Sequence, residues 1–417
     1  MRRILLFGAL LLAQVADAQT MRTITDKELR SKLSGYWLGQ LVGNYMGYPF
    51  ENLYDSLPIP FFVDRYYFYR TDHDAVRQRG GIIHDKLRNG YTDILAEAVD
   101  GAFSDDDTDI ELVTLHAVEK YGLGITYPQM TEMWKTHINR RIWCANAEAR
   151  RLMSTGLVAP ATGQKANNNQ WFQIDAQLVN EIWGAFYPGM TRQAARRAEW
   201  GARITNDDWA THATIAYGIL YSAAFFEQDP ARLVNLALAG IPQQGPFFEG
   251  MQDVIAWHRQ YPDWRDCRRR ILEKYRRYRR GEYAAPESIV ASLQNGLCGI
   301  MAILYGGGDF TKTVGIAVTA GFDCDNQAAT CGGLLAIMHG ADSIPWTFTH
   351  ELSSAGKWAK PFNDHYVNYT RDGIPISNRI SDIVNRIHAV TTRAILANGG
   401  RKTVLNGEPA WVVKTDF

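Results

Sequence analysis

Four aspartates crowd into the stretch GAFSDDDTDIELVTLHAVEKYG, residues 101–122: Asp105, Asp106, Asp107 and Asp109. Like charges that close repel and raise one another's pKa values. Helix capping accounts for one of them, because a side-chain oxygen at a helix start accepts from a free backbone N–H and the helix dipole favours negative charge there. The surplus is either a solvated loop or a set of cation ligands. A second acid pair, Asp323 and Asp325 in AVTAGFDCDNQAATCGGLLAIMHGA, residues 317–341, stands in the same position, after one helical run and just before another. Two such loops can converge and hold one or two hard cations through carboxylate oxygens, the donors that Mg²⁺ and Mn²⁺ require. No His/Cys spacing points to zinc.

These acids need helices to carry them. Apolar spacing predicts one over Asp109 to Tyr121, and a small-residue helix follows Asp325. Residues Asp26 to Glu51 read as a helix whose glycines, Gly35, Gly39, Gly43 and Gly47, recur at every fourth position, so that one face admits close approach of a helix or ligand. From Asn52 to Asp93, aromatic runs alternate with Gly and Pro, which suggests loops with a strand or two. Further helices are expected at 128–139, 145–153, 173–185, 191–202, 209–226, 230–239, 248–261, 264–280, 288–305, 310–320 and 380–396. The 264–280 segment holds nine Lys or Arg residues interleaved with Ile271, Leu272, Tyr275 and Tyr278, the pattern of a solvated helix face. Few stretches alternate as strands do, and no polar linker divides the chain, so a mainly α-helical single domain from 26 to 417 is expected.

The first residues, MRRILLFGALLLAQVADAQT, combine a basic start, an apolar run too short to span a bilayer and an Ala-x-Ala site. They predict a signal peptide over residues 1–18 and an exported protein, periplasmic or secreted, with no membrane span. Lys plus Arg balance Asp plus Glu at 44 each, which gives no reason to expect nucleic acid as a partner. Five widely spaced cysteines do not form a disulfide scaffold; Cys324 and Cys331 are nearest in sequence, and buried thiols are expected for most.

Taken in order, the motifs resemble those of the ADP-ribosylglycohydrolases. A glycine-rich helix ending in GNYMGYPFE (Gly43 to Glu51) is similar to the family's first motif, DDDT (Asp105 to Thr108) to its second, and FDCDN (Phe322 to Asn326) to its third. Asn44 stands where the family usually has Asp, Asp105 where it has Ser or Thr, and Asn326 where it has Thr. The resemblance implies an all-α, compact orthogonal helical bundle and a pair of Mg²⁺ or Mn²⁺ ions. It implies metal ligation by Asp105, Asp106, Asp107, Asp323, Asp325 and Asn326, and catalytic roles for Asp105, Asp107 and Glu51. Asn44, Asp175, Asp207, Asp208 and His212 are expected on the substrate side, with Gln173 near them.

The chemistry this implies is hydrolysis of a glycosidic bond. Divalent ions can orient the vicinal hydroxyls of a furanose and lower the pKa of water, while carboxylates stabilise oxocarbenium-like charge. The small-molecule substrate is then an ADP-ribosyl or related ribosyl group. A glycan cleaved by the same chemistry, or a metal-dependent ligand bound without turnover, are the alternatives.

Overall fold

The glycine spacing finds its cause in the partner of the first helix. Asp26–Gly47 begins at Thr25, whose side chain accepts from the Glu28 N–H at 3.1 Å, and carries Asp26 and Glu28 in its first turn. It lies antiparallel to the helix Cys324–His339: Gly35 faces Ala336, Gly39 faces Gly332, Gly43 faces Ala328 and Gly47 faces Asp325. A methyl group at Gly35 would lie 2.5 Å from the Ala336 carbonyl oxygen, and at Gly39 or Gly43 it would collide with the carbonyls of Gly332 and Ala328. Only hydrogen at these positions allows two backbones to touch. This contact sets the C-terminal end of one helix against the N-terminal start of the other, and the site is built there.

The computed structural model describes residues 20–84, 92–281, 286–352 and 357–417; the expected signal peptide, 1–18, lies outside them. Within that range the fold is mainly α-helical, as the periodicity implies. The helix Thr191–Ala202 has the expected bounds, and Tyr127–His137, Cys144–Ser154, Pro230–Gly240, Pro246–Gln260, Phe310–Thr319 and Ile380–Ala397 depart from theirs by one or two residues. Trp37, Trp171 and Trp183 are fully buried among the helices.

Several expectations are corrected. The 173–185 segment is two short helices, Asp175–Leu178 and Ile182–Phe186, whose polar side chains turn inward, Gln177 (3.5 Å) and Glu181 (2.7 Å) both meeting the Thr330 hydroxyl, instead of forming one solvated face. Between 52 and 84 there is no strand but a helix, Tyr69–Gln78, and another helix follows at Thr92–Val99. Two small sheets join distant parts of the chain: Thr20–Thr25 pairs antiparallel with Glu408–Thr415, which pairs with Arg401–Leu405, and Ala102–Phe103 runs parallel to Tyr366–Val367. The basic segment is not wholly a solvated face. Arg268 and Arg279 are buried; Arg268 donates to the carbonyls of Ala320 (2.6 Å) and Asp55 (2.7 Å), and Arg279 pairs with the Asp55 carboxylate at 2.8 Å. All five cysteines are free thiols. Cys324 and Cys331, two helical turns apart, are too distant to bridge.

Candidate active site

The helix pairing delivers the residues after Gly47 to the start of Cys324–His339. There Asn52 N–H donates to the Phe322 carbonyl (2.9 Å) and Phe322 N–H to the Tyr54 carbonyl (2.8 Å), so the two loops are laced together. Phe322 takes a left-handed φ of 65°, a conformation costly outside glycine that turns the chain sharply into Asp323. Arg268 holds both sides of this junction through the Asp55 and Ala320 carbonyls. Ligand atoms of Glu51, Asp323 and Asp325 consequently lie within 4.8 Å of one another.

The first acid cluster comes from the other side. Ala102–Phe103 pairs beside Tyr366–Val367, the Tyr45 hydroxyl holds the Phe103 carbonyl at 2.6 Å, and the chain then turns at Asp105 into the helix Asp106–Tyr121. Asp105 occupies the N-cap position but makes no side-chain cap hydrogen bond, and the same is true of Asp323. Asp105, Asp107 and Asp325 form a second trio within 4.8 Å, sharing Asp325 with the first. Asp106 belongs to neither trio, although it lines the same cleft. Asp109 points elsewhere: its carboxylate pairs at 2.7 Å with Arg371, both side chains wholly buried, and accepts from the Thr370 hydroxyl. One of the four crowded acids is therefore a structural ion pair.

The two amides at departures from the family motifs meet on one carboxylate. Asn44 donates to one oxygen of Asp107 and, at 3.4 Å, to Asp105, while Asn326 donates at 2.8 Å to the other oxygen of Asp107. An aspartate at position 44 would add a repelling charge where the amide supplies a donor. One turn behind, Glu111 accepts from the Tyr36 hydroxyl, from Gln40 (3.2 Å) and from the Ile182 N–H (2.7 Å), so the floor rests on a second buried polar layer.

Glu51, Asp105, Asp106, Asp107, Asp323, Asp325 and Asn326 line a cavity of about 380 Å³. Burial, and then the neighbouring carboxylates, push the pKa values of Asp106, Asp107, Asp323 and Asp325 well above the usual range. Such a cluster suits a cation, which offsets the repulsion. Asp325 Oδ1 and Asn326 Oδ1 are buried without a hydrogen-bond partner, a costly state that coordination would relieve, and the all-oxygen donor set fits a hard ion. Tyr48 and Phe103, stacked at 5.8 Å and 15°, give the cavity an aromatic wall with a face for a base or sugar ring.

Of the residues expected on the substrate side, Asp175 alone lines this cavity. Its Oδ1 accepts from the Asn146 N–H at 2.9 Å, serving as the missing cap of the helix Cys144–Ser154, and burial raises its pKa to about 6. Asn44 is buried behind the carboxylates and positions them. Asp207, Asp208 and His212 lie outside the cavity: Asp207 accepts from Lys165 N–H (3.1 Å) and pairs with Arg203 (3.3 Å), Asp208 pairs with Lys165 (3.1 Å), and His212 begins the helix His212–Ala224 near Gly245. Gln173 is engaged with Ser288 and Gln170. Their polarity serves local pairing. The sequence reading missed Arg141, Trp143, Tyr369 and Thr370 in the cavity wall and Arg371 behind it; single residues in loops, they carry no spacing that would mark them.

The comparisons agree with this geometry. The sequence model of the ADP-ribosylglycohydrolases matches residues 25–374, and the chain belongs to that family. It is accordingly a hydrolase of the glycohydrolase class. A solved structure described as an ADP-ribosylglycohydrolase-related protein complex shares the fold, with a TM-score of 0.51 and 18% identity over 88% of this chain and 99% of that one. A search of curated proteins finds no match. Among the described residues no helix is long and apolar enough to cross a membrane.

Proposed function

We propose that the chain is an exported, cation-dependent hydrolase of ADP-ribosyl or related ribosyl N- or O-glycosidic linkages, working with two Mg²⁺ or Mn²⁺ ions. The observation that carries this reading is the pair of carboxylate trios sharing Asp325, each including an N-cap aspartate, Asp323 or Asp105, whose side chain does no capping. Glu51, Asp323 and Asp325 would hold one ion and Asp105, Asp107 and Asp325 the other, with Asp106 and Asn326 beside them. When bound, such ions supply positive charge that orients vicinal sugar hydroxyls and polarises water.

The chain's own groups do the rest. Asn44 and Asn326 fix both oxygens of Asp107, so that carboxylate keeps its orientation through a reaction cycle. Asp105 has no cap bond to give up and lies half-buried, which suits it to take the proton of the attacking water. The remaining carboxylates stabilise positive charge developing on the sugar ring as the bond to the leaving nitrogen or oxygen lengthens. The aromatic wall of Tyr48 and Phe103 excludes water from one side. Export rests on the signal-like residues 1–18, and N-terminal sequencing of protein recovered outside the cytoplasm should begin close to Gln19.

The test is turnover of an ADP-ribosyl substrate and of a furanosyl glycoside, each with Mg²⁺, with Mn²⁺ and after EDTA. Hydrolysis of the ribosyl substrate that EDTA abolishes and either ion restores is expected. Hydrolysis indifferent to EDTA rejects the cation dependence, and turnover of the glycoside alone rejects the ribosyl substrate.

A further inference from the structure

We propose that Arg141 is a specificity-determining residue that selects substrates bearing an anionic group, phosphoryl or carboxylate, next to the sugar held by the carboxylates. The inference rests on the cleft being the substrate site and adds to it the charge of the substrate. Among the described residues lining the cavity, Arg141 is the one cationic side chain, set in a wall that includes Glu51, Asp175 and the five aspartates of the two clusters. An arginine whose task was to neutralise those acids would be paired with one of them. Arg141 is exposed, and among the described residues its guanidinium makes no ion pair or hydrogen bond. The neutralising task near the cluster belongs to a different arginine, Arg371, buried against Asp109.

The backbone beneath Arg141 is held more firmly than an exposed loop requires. Arg371 donates to the carbonyl of Arg140 at 2.6 Å and to that of Arg141 at 2.9 Å while its Nε pairs with Asp109. One buried side chain thereby bolts the loop to the helix that carries Asp106 and Asp107. Residue 141 itself has a φ of 52°, a left-handed conformation that a side chain adopts at a cost and that persists where surroundings impose it, often at functional sites. Burial raises the pKa of the Tyr369 phenol, Asp105 adds to the rise and Arg141 opposes it, so the guanidinium acts on the same wall residue as the acid cluster. A planar, permanently charged fork mounted on a fixed base matches a phosphate or carboxylate. A neutral sugar would make no use of it.

The test compares two anionic probes, ribose 5-phosphate and glucuronate, with their neutral counterparts, ribose and glucose. Dissociation constants are measured by ligand-observed NMR on the full-length chain, with Mg²⁺ and after EDTA, for wild type, Arg141→Gln and Arg141→Lys. Wild type should prefer one anionic probe to its neutral partner by about tenfold or more, as charge-assisted bonds imply. Arg141→Gln should bind the pair alike, with neutral-sugar binding and the melting temperature unchanged, and Arg141→Lys should recover part of the preference. Which anionic probe is preferred assigns the group as phosphoryl or carboxylate. Wild type that does not discriminate within either pair, or Arg141→Gln that discriminates as wild type does, overturns the proposal. A preference that depends on Arg141 in protein whose melting ignores Mg²⁺ and Mn²⁺ upholds it while the cation reading falls.

Discussion

Acids stand at the start of several helices in this protein, and they divide into two kinds. Asp229, Asp263 and Asp309 are surface caps, accepting from the backbone N–H groups of Ala231 (2.8 Å), Arg265 (2.9 Å) and Lys312 (2.6 Å). Asp105 and Asp323 occupy the same position and accept no capping bond; their carboxylates turn into a cleft among other carboxylates. The position in sequence is identical, and the fate of the side-chain oxygen differs. An acid at a helix start that forgoes the cap has given up about 1 kcal/mol of local stability, which is a reason to look for what replaces it.

The largest effect that would sharpen this contrast is on turnover. Asp323→Asn and Asp106→Asn should each lower ribosyl hydrolysis roughly a thousandfold, since charge stabilisation by the cations contributes several kcal/mol. The EDTA-treated variants should melt no lower than the parent, because a member of a repelling cluster is gone. Steady-state rates beside calorimetry measure both, and variants as active as the parent would place these acids with the caps.

Asn44→Leu, of similar volume, comes next. It removes the donor shared by Asp105 and Asp107, and cation affinity in a calorimetric titration should fall roughly tenfold to a hundredfold, as for other groups that orient ligands. Unchanged affinity would mean that Asp107 needs no orientation.

Much of this was legible in the chain. Glycines at every fourth position from Gly35 to Gly47 implied close approach of a helix or ligand, and the two acid clusters before helix starts implied convergence, because both signals are local. What escaped has no period. The strands Thr20–Thr25 and Glu408–Thr415 are paired across nearly the whole chain, and short-range alternation does not announce such partners. Asp207, Asp208 and His212 stand before a small-residue helix and were expected on the substrate side, but Lys165 and Arg203 absorb the two aspartates. Arg371 and Arg141 meet the cluster through folding alone, since neither lies near it in sequence. Where a polar residue finds its partner decided its role, and sequence shows partners only when they are near.

The pH response should separate the two kinds of acid with a smaller effect. Asp106, Asp107, Asp323 and Asp325 have folded pKa values above their unfolded ones, so the folded state holds protons longer and EDTA-treated protein loses stability as pH rises from about 4 through the raised values; for Asp175 the window is about 4 to 6. Asp26, bonded to Trp411, Arg30 and His388, is the opposite case: its pKa is lowered to about 2, so its contribution is present above about 4 and is lost as pH falls through 2. EDTA-treated protein should therefore melt higher at about pH 5.5 than at about pH 8, and Asp323→Asn should narrow that gap. A gap equal in parent and variant would assign it to other groups. Smallest is the cap itself: Asp309→Ala should cost about 1 kcal/mol in chemical denaturation and leave turnover unchanged. A loss of turnover there would blur the division.

The most direct test of the central claim is the melting temperature of the parent and of Asp323→Asn, each with EDTA, with Mg²⁺ and with Mn²⁺. A cation that binds only the folded cleft raises the melting temperature by mass action. A rise of a few degrees is expected in the parent with at least one ion, abolished by EDTA, and little or none in the variant. A parent whose melting ignores both ions and EDTA would contradict it, and the carboxylates of the cleft would then need another explanation than a cation.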